Sequence, residues 1–280
     1  MTIKIVTDST CDLPQEIIEK YDITVIPAYI NIGSDSYLDG VEITRQNFYE
    51  KLPELETPPT TSAPSIGTFA KAYKQLVDKG ASSVLSIHIS SVLSGIYNVA
   101  VLASEAVENI VVRTFDAGNL SLGTGLIVEA AAKMAQAGHN IEEITTRIKD
   151  LAERTYTVAA IDTLRFLQRS GRISKLKAGL GGLLQIKPIL NMNRDKVVMG
   201  AARTSKGAVQ HLLDTLKSFG KIESIALVHT NAPDKAEQLR ELAKDIVAEV
   251  KEAYSMTVTP VIGSHIGPGA FGFVVIKASQ

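Results

Sequence analysis

The chain reads as an α/β protein of two α/β domains, an N-terminal one with a mostly parallel sheet flanked by helices and a C-terminal one with a mixed sheet. Three observations carry that reading. Its 280 residues exceed one typical domain and fall short of three. Short apolar runs alternate with helical patterns through the first half, as in successive βαβ units. Beyond the helix predicted over 140–154 the alternation becomes irregular and a hairpin signal enters. The boundary therefore falls there, dividing the chain into 1–155 and 156–280.

The elements follow in order. Residues 3–6 form a first strand, closed by Thr7-Asp8-Ser9-Thr10. Asp12-Leu13-Pro14 then opens a helix, with Asp12 suited to the N-cap and Pro14 to the first turn. Residues 23–32 are extended, and Pro27 marks an edge or a bend. Thr44 caps a helix with the apolar stripe Phe48, Tyr49 and Leu52. The stretch 57–65, Thr-Pro-Pro-Thr-Thr-Ser-Ala-Pro-Ser, is too rich in proline for either regular element and ends at a helix start. Phe69, Tyr73 and Leu76 recur at helical spacing until Gly80 ends the helix. Residues 84–89 are a strand, and 90–95 turn it into a helix running to about 107. Another strand covers 110–115, and Asp116-Ala117-Gly118-Asn119 leads into a helix that ends near Gly138.

The second half opens with a strand over 157–161. A hairpin pairs 189–192 with Val197 and Val198 across the turn Asn193-Arg194-Asp195. Strands at 225–229 and 258–262 surround a helix over 234–250, and 273–276 closes the sheet.

Composition narrows the function classes. Hydrophobic residues make up 45% of the chain and charged ones 21%, enough for an ordinary core. A net charge of −1 gives no overall field to recruit nucleic acid, so no nucleic-acid partner is expected. Cys11 is the one cysteine, which precludes an intramolecular disulfide, and it is expected to pack locally. The first residues run into Asp8 and Asp12 without the apolar core of a signal peptide, and no apolar run has the length of an integral membrane segment. A soluble, cytoplasmic protein is the expectation. Sequence signatures of a nucleophile elbow, a phosphate-cradling lysine loop and paired His or Cys metal ligands are all missing, so no cofactor or metal is expected. Gly179-Leu180-Gly181-Gly182-Leu183 imitates part of a dinucleotide fingerprint but follows no clear strand.

Open α/β sheets bind ligands at their strand ends. Three polar segments lie there: 7–10, 90–95 and 116–119. Ser94 and Gly95 begin a helix, where the first N–H groups lack intrahelical partners and suit an anion; capping by Ser91 or Ser94 is compatible with that role. Thr60, Thr61 and Ser62 gather hydroxyls before Pro64, either for a ligand or as a capping loop. His265 places a titratable ring in Ser-His-Ile-Gly-Pro-Gly-Ala-Phe-Gly, where glycine lets the backbone approach closely. Arg169 and Arg172 around Gly171 suit a phosphate or an acidic surface, or simply face solvent. Arg203 precedes Thr204, itself suited to a helix cap. An acyl hydrolase with Ser94 as nucleophile, His265 as base and Asp116 as orienter is one alternative. Phosphoryl transfer through His265 is another, and a regulatory module for a small carboxylate a third.

Taken in order, these segments resemble the DegV family of bacterial fatty-acid-binding proteins. The likeness rests on Thr7-Asp8-Ser9-Thr10, Asp12-Leu13-Pro14, Thr61-Ser62-Ala63-Pro64 and Ser90-Ser91 with Leu93-Ser94-Gly95 and Tyr97. It continues through Asp116, Ser121-Leu122-Gly123, Gly171-Arg172-Ile173, Lys187-Pro188-Ile189-Leu190, Arg203-Thr204, and His265 with Gly267-Pro268-Gly269. Ala63 and Ile96 depart from it, where the family usually carries glutamine and a hydroxyl residue. The resemblance implies one long-chain fatty acid, such as palmitate, bound in a tunnel between the two domains. It further implies Thr61, Ser62, Ser94, Gly95 and His265 at the carboxylate. The partner implied is a separate ATP-dependent fatty acid kinase that makes the acyl-phosphate, met through Arg172, Arg203 and His265, with no catalytic residue on this chain. Ile26, Ala28, Ile30, Leu164, Leu167, Leu183, Leu184, Ile186 and Met192 supply aliphatic surface for the tunnel.

Overall fold

The computed structural model describes residues 2–108, 110–172, 186–250 and 252–279. Strand β1 (Ile3–Asp8) passes through a 3-10 turn, Ser9–Cys11, to α1 (Gln15–Lys20) and β2 (Thr24–Ile26). Next come β3 (Tyr29–Ile32), β4 (Asp35–Leu38), α2 (Arg45–Lys51) and β5 (Thr60–Ser62). The strict alternation follows: α3 (Ile66–Asp78), β6 (Ser83–His88), α4 (Ile96–Glu105), β7 (Val111–Asp116), then α5 (Leu122–Gln136) and α6 (Ile141–Arg154). The main sheet of this half has the order β2-β1-β6-β7 and every pair is parallel. Val84, Leu85 and Ile87 of β6 are all fully buried, because helices cover both faces of a parallel sheet. A small antiparallel sheet, β4-β3-β5, stands beside it.

The second half contains β8 (Thr155–Ala160), α7 (Arg165–Arg169), β9 (Lys187–Asn193), β10 (Lys196–Ala202) and α8 (Ser205–Ser218). It continues with β11 (Ile222–His229), α9 (Pro233–Ala243), β12 (Glu252–Thr257), α10 (Pro260–Ile266) and β13 (Phe271–Lys277). The sheet order is β10-β9-β8-β13-β11-β12, with only β11 and β12 parallel. Its two faces pack differently, as the two-residue period of a strand requires. Phe271, Phe273 and Val275 of β13 join the core under α8 and α9. Val274 and Ile276 face the other way and share one core with the parallel sheet. Among the described residues, no helix is long and apolar enough to cross a membrane.

Most expected elements are present, and the departures have physical causes. Asp12 does not cap α1. It sits in the left-handed region at φ 56°, and the cap position belongs to Pro14 with no side-chain bond. Thr60–Ser62 escapes the surrounding prolines to form β5 against β3. The β-branched run at 258–262 is not a strand, because Pro260 has the fixed φ of a first helical turn and starts α10. α9 ends at Ala243, short of the expected 250. β13, the last strand, completes the sheet from its interior, between β8 and β11. The glycine-rich stretch 179–183, Ile173, Leu183 and Leu184 lie outside the described residues.

Candidate functional site

A cavity of about 680 Å3, open mouth included, lies where the two halves meet. Among the described residues, five in its lining are polar: Thr10 after β1, Thr61 on β5, Ser94 before α4, Arg172 beyond α7 and His265 on α10. Every other lining residue among the described residues is isoleucine, leucine or valine. The site is thus an aliphatic hole with a polar patch in its wall.

Each polar group is held from behind. Thr61 pairs with Ile30 across β3 and β5, and its Oγ1 lies 2.8 Å from His265 Nε2. His265 occupies the last turn of α10, which Gly267 ends at φ +74°, and a Cβ there would overlap the Phe166 ring. Burial, with the nearby Arg172 cation, pushes the His265 imidazole down to about 4, so it is neutral at physiological pH. Its Nδ1 is buried with no hydrogen-bond partner among the described residues. In the neutral ring, either tautomer leaves one donor for a ligand oxygen. If Thr61 donates to Nε2, that donor is the Nδ1 hydrogen; if Nε2 donates to Thr61, it is the Thr61 hydroxyl.

Ser94 N donates to Ser90 O at 3.1 Å, and Ser94 Oγ accepts from Ile96 N at 3.3 Å. The formal cap of α4 is Gly95, which makes no side-chain bond, so the Ser94 hydroxyl hydrogen is not used in capping. Thr10 is different. Its hydroxyl donates to Asp8, whose other oxygen takes His88 Nδ1 at 2.9 Å, and His88 Nε2 meets Ser86 Oγ at 2.7 Å. Thr10 therefore turns lone pairs, not a donor, toward the cavity. Arg172 Nη1 donates to Ser170 O at 2.9 Å and brings positive charge to the wall.

The helix carrying His265 is fixed from the parallel-sheet half. Asp12 is fully buried and accepts from Thr259 N at 2.8 Å, Ser121 Oγ at 2.5 Å and Arg45 Nη2 at 3.0 Å. Arg45 Nη1 donates to Thr257 O at 2.5 Å, Tyr49 Oη to Val258 O at 3.0 Å, and Thr259 Oγ1 to Asp39. Burial raises the Asp12 carboxyl to about 6 against the opposing pull of Arg45, and burial raises Asp39 as well.

Of the residues singled out in the sequence, Thr61, Ser94, Arg172 and His265 share this cavity. Ser62 and Gly95 are not in its lining, and Arg203 is exposed before α8. Asp116 does not reach His265: its carboxylate accepts from Ser91 N at 3.0 Å and Gly118 N at 2.8 Å, so the hydrolase alternative lacks its orienting acid. Cys11 is buried, and burial pushes its thiol up to about 12. Of the expected tunnel aliphatics, Leu167 lines the cavity, whereas Ile26, Ala28, Ile30 and Met192 are core. Val261, Ile262 and Ile266 do line it; the first two fall in the run 258–262 that resembles a strand, and Ile266 beside His265 in the glycine-rich segment. Among the described residues no cluster of His, Cys, Asp or Glu is arranged to hold a metal ion.

A family model described as an uncharacterised protein of the DegV family matches residues 2–278. A DegV domain-containing protein of Clostridium acetobutylicum is 35% identical over 279 residues, covering 98% of this chain and 99% of that one. A DegV family protein from Thermus thermophilus, solved in a study of its fatty acid binding, superposes with a TM-score of 0.90 at 33% identity and covers 99% of this chain and 100% of its own. DegV from Bacillus subtilis, described as a fatty acid binding protein, gives 0.89 at 33% identity, again covering 99% and 100%.

Proposed function

The chain belongs to the DegV family, and from that premise we propose that it binds one long-chain fatty acid, such as palmitate, in a tunnel between two domains that divide near residue 155. The observation that carries this reading is a polar patch in a cavity whose other described lining residues are all aliphatic. A buried carboxylate must be hydrogen-bonded or paired. Thr61 with His265, and Ser94, offer donors to its oxygens, while Arg172 offers charge. Burying the acyl tail contributes about 0.8 kcal/mol per methylene. A dozen methylenes therefore supply roughly 10 kcal/mol before the costs of binding, which suits affinity in the sub-micromolar range.

The finer reading is that the chain presents the carboxylate to a separate ATP-dependent fatty acid kinase in lipid metabolism. That enzyme would transfer the γ-phosphoryl group of ATP to a carboxylate oxygen, giving acyl-phosphate and ADP. Support comes from the exposed Arg203 before α8 and from Arg172 in the cavity wall, cations of the kind that attract a phosphate or an acidic surface. The protein itself acts as a carrier rather than an enzyme. Mass spectrometry of an organic extract from unsupplemented protein tests the core of this reading. One fatty acid per chain supports it; a chain that is empty and takes up no added fatty acid overturns it. For the partner, Arg203→Ala is expected to leave palmitate affinity unchanged while lowering acyl-phosphate formation by the kinase. An equal loss of both would refute that division of labour.

A further inference from the structure

The turn joining β9 and β10 does more than reverse the chain. Its two central residues, Arg194 (φ 45°) and Asp195 (φ 66°), are both left-handed, as a tight hairpin requires, yet neither is the usual glycine or asparagine. What these side chains provide is a set of contacts on the opposite half of the molecule. Asp195 Oδ1 accepts the Ser90 hydroxyl at 2.5 Å, and Asp195 N donates to Gly118 O at 3.0 Å. Arg194 Nη1 donates to Asp116 O at 3.0 Å, and its guanidinium lies over the Phe115 ring. The approach is close enough that a Cβ on Gly118 would stand 3.0 Å from Arg194 Cα.

The receiving residue is the start of the Ser94 turn. Ser90 Oγ accepts from Val92 N at 3.2 Å, while Ser90 O accepts from Leu93 N at 3.0 Å and Ser94 N at 3.1 Å. Because the Ser90 hydroxyl has one hydrogen, giving it to Asp195 turns its lone pairs toward Val92 N. Asp195 thereby sets the turn that carries Ser94 to the cavity wall. We propose that Asp195, reaching across from the six-stranded sheet, is a positioning residue for the carboxylate-binding patch, acting on Ser94 through the Ser90 hydroxyl. The proposal rests on the fatty-acid reading, and it makes head-group selectivity, not tail affinity, depend on the hairpin tip.

The test compares dissociation constants for palmitate and for hexadecanol in the full chain, wild type and variant, by calorimetry. Asp195→Ala is expected to weaken palmitate about 10-fold and hexadecanol less than about 2-fold, so the acid-over-alcohol preference falls. Asp195→Asn keeps an acceptor oxygen and is expected to restore most of that preference. A purely structural role would weaken both ligands alike, and that result overturns the proposal. So does palmitate binding by Asp195→Ala at the wild-type level, or a loss in Asp195→Asn as large as in Asp195→Ala. If Asp195→Ala does not fold, Ser90→Ala removes the same hydrogen bond from the other side and is read by the same ratio. A wild type that takes up neither ligand overturns the fatty-acid reading itself, and is thereby told apart from wild-type binding that Asp195→Ala leaves unchanged.

Discussion

Two junctions hold the halves together at the polar patch, one behind His265 and one behind Ser94, and they are made differently. Behind His265 stand a buried carboxylate, a guanidinium and a tyrosine hydroxyl, with Asp12 wholly inaccessible and the Arg45 side chain 29% exposed. Behind Ser94 stands a hairpin tip, where Arg194 is 32% exposed and its partner Glu153 64%. Charges sealed from water depend strongly on one another, whereas partly wetted ones can exchange a lost partner for solvent. α10 is thus held through a carboxylate sealed from water, and the Ser94 turn through a hairpin tip whose ion pair is partly wetted.

The largest effect should come from breaking the sealed junction. Arg45→Ala leaves Asp12 buried without its cation, for an expected loss of about 3–5 kcal/mol in a urea titration near neutral pH. A loss below about 1 kcal/mol would mean that the two junctions are alike. Acid should soften this loss, since Asp12 can then take up a proton.

The pH dependence of stability sharpens the contrast further. Asp12 is held at about 6 against an ordinary 3.8, so its contribution is full below pH 3.8 and is lost as pH rises through about 6. His265 is held at about 4 against 6.5; its contribution is full above pH 6.5 and is lost as pH falls through about 4. Over the shared window the two slopes oppose. Relative to wild type, His265→Gln should gain up to about 3 kcal/mol on acidification from about pH 7 to 4, and Asp12→Asn should shift the opposite way. Thermal melts across that range check both, and tilts of the same sign would refute the assignment.

Smaller effects belong to the ligand. Thr61→Ala and Ser94→Ala should each weaken palmitate by about 1–3 kcal/mol with little change in stability. Ser94→Ala removes one donor, whereas Thr61→Ala also strips the buried His265 Nε2 of its partner, so the Ser94 loss should be the lesser of the two. Calorimetric titration decides, and a larger loss at Ser94 would overturn that order.

Much of this was legible in the sequence where the signals are local. The strand, polar turn and helix around Ser94 announce themselves by an apolar run, a serine cluster and an apolar helical repeat. The hairpin tip at Arg194 was likewise readable from its turn residues. What escaped is nonlocal. Asp12 looks like a helix cap because Asp-Leu-Pro usually is one, but its partners lie 33, 109 and 247 positions away at Arg45, Ser121 and Thr259. Val258, Val261 and Ile262 resemble a strand until Pro260 is placed at the start of α10. Thr10 belonged to a polar strand end already singled out, yet only the fold sets it in the cavity with its hydrogen given to Asp8.

The position of β13 has a consequence for biosynthesis. It is translated after every other strand of its sheet, yet it is the rung between β8 and β11. The parallel sheet can assemble as it leaves the ribosome. The six-stranded one must wait with two unpaired edges, the kind of exposed backbone that invites aggregation. A nascent chain stalled just short of Phe271 would carry His265 with its helix partners Asp12, Arg45 and Tyr49 already made, yet β8 and β11 would still lack the strand that joins them.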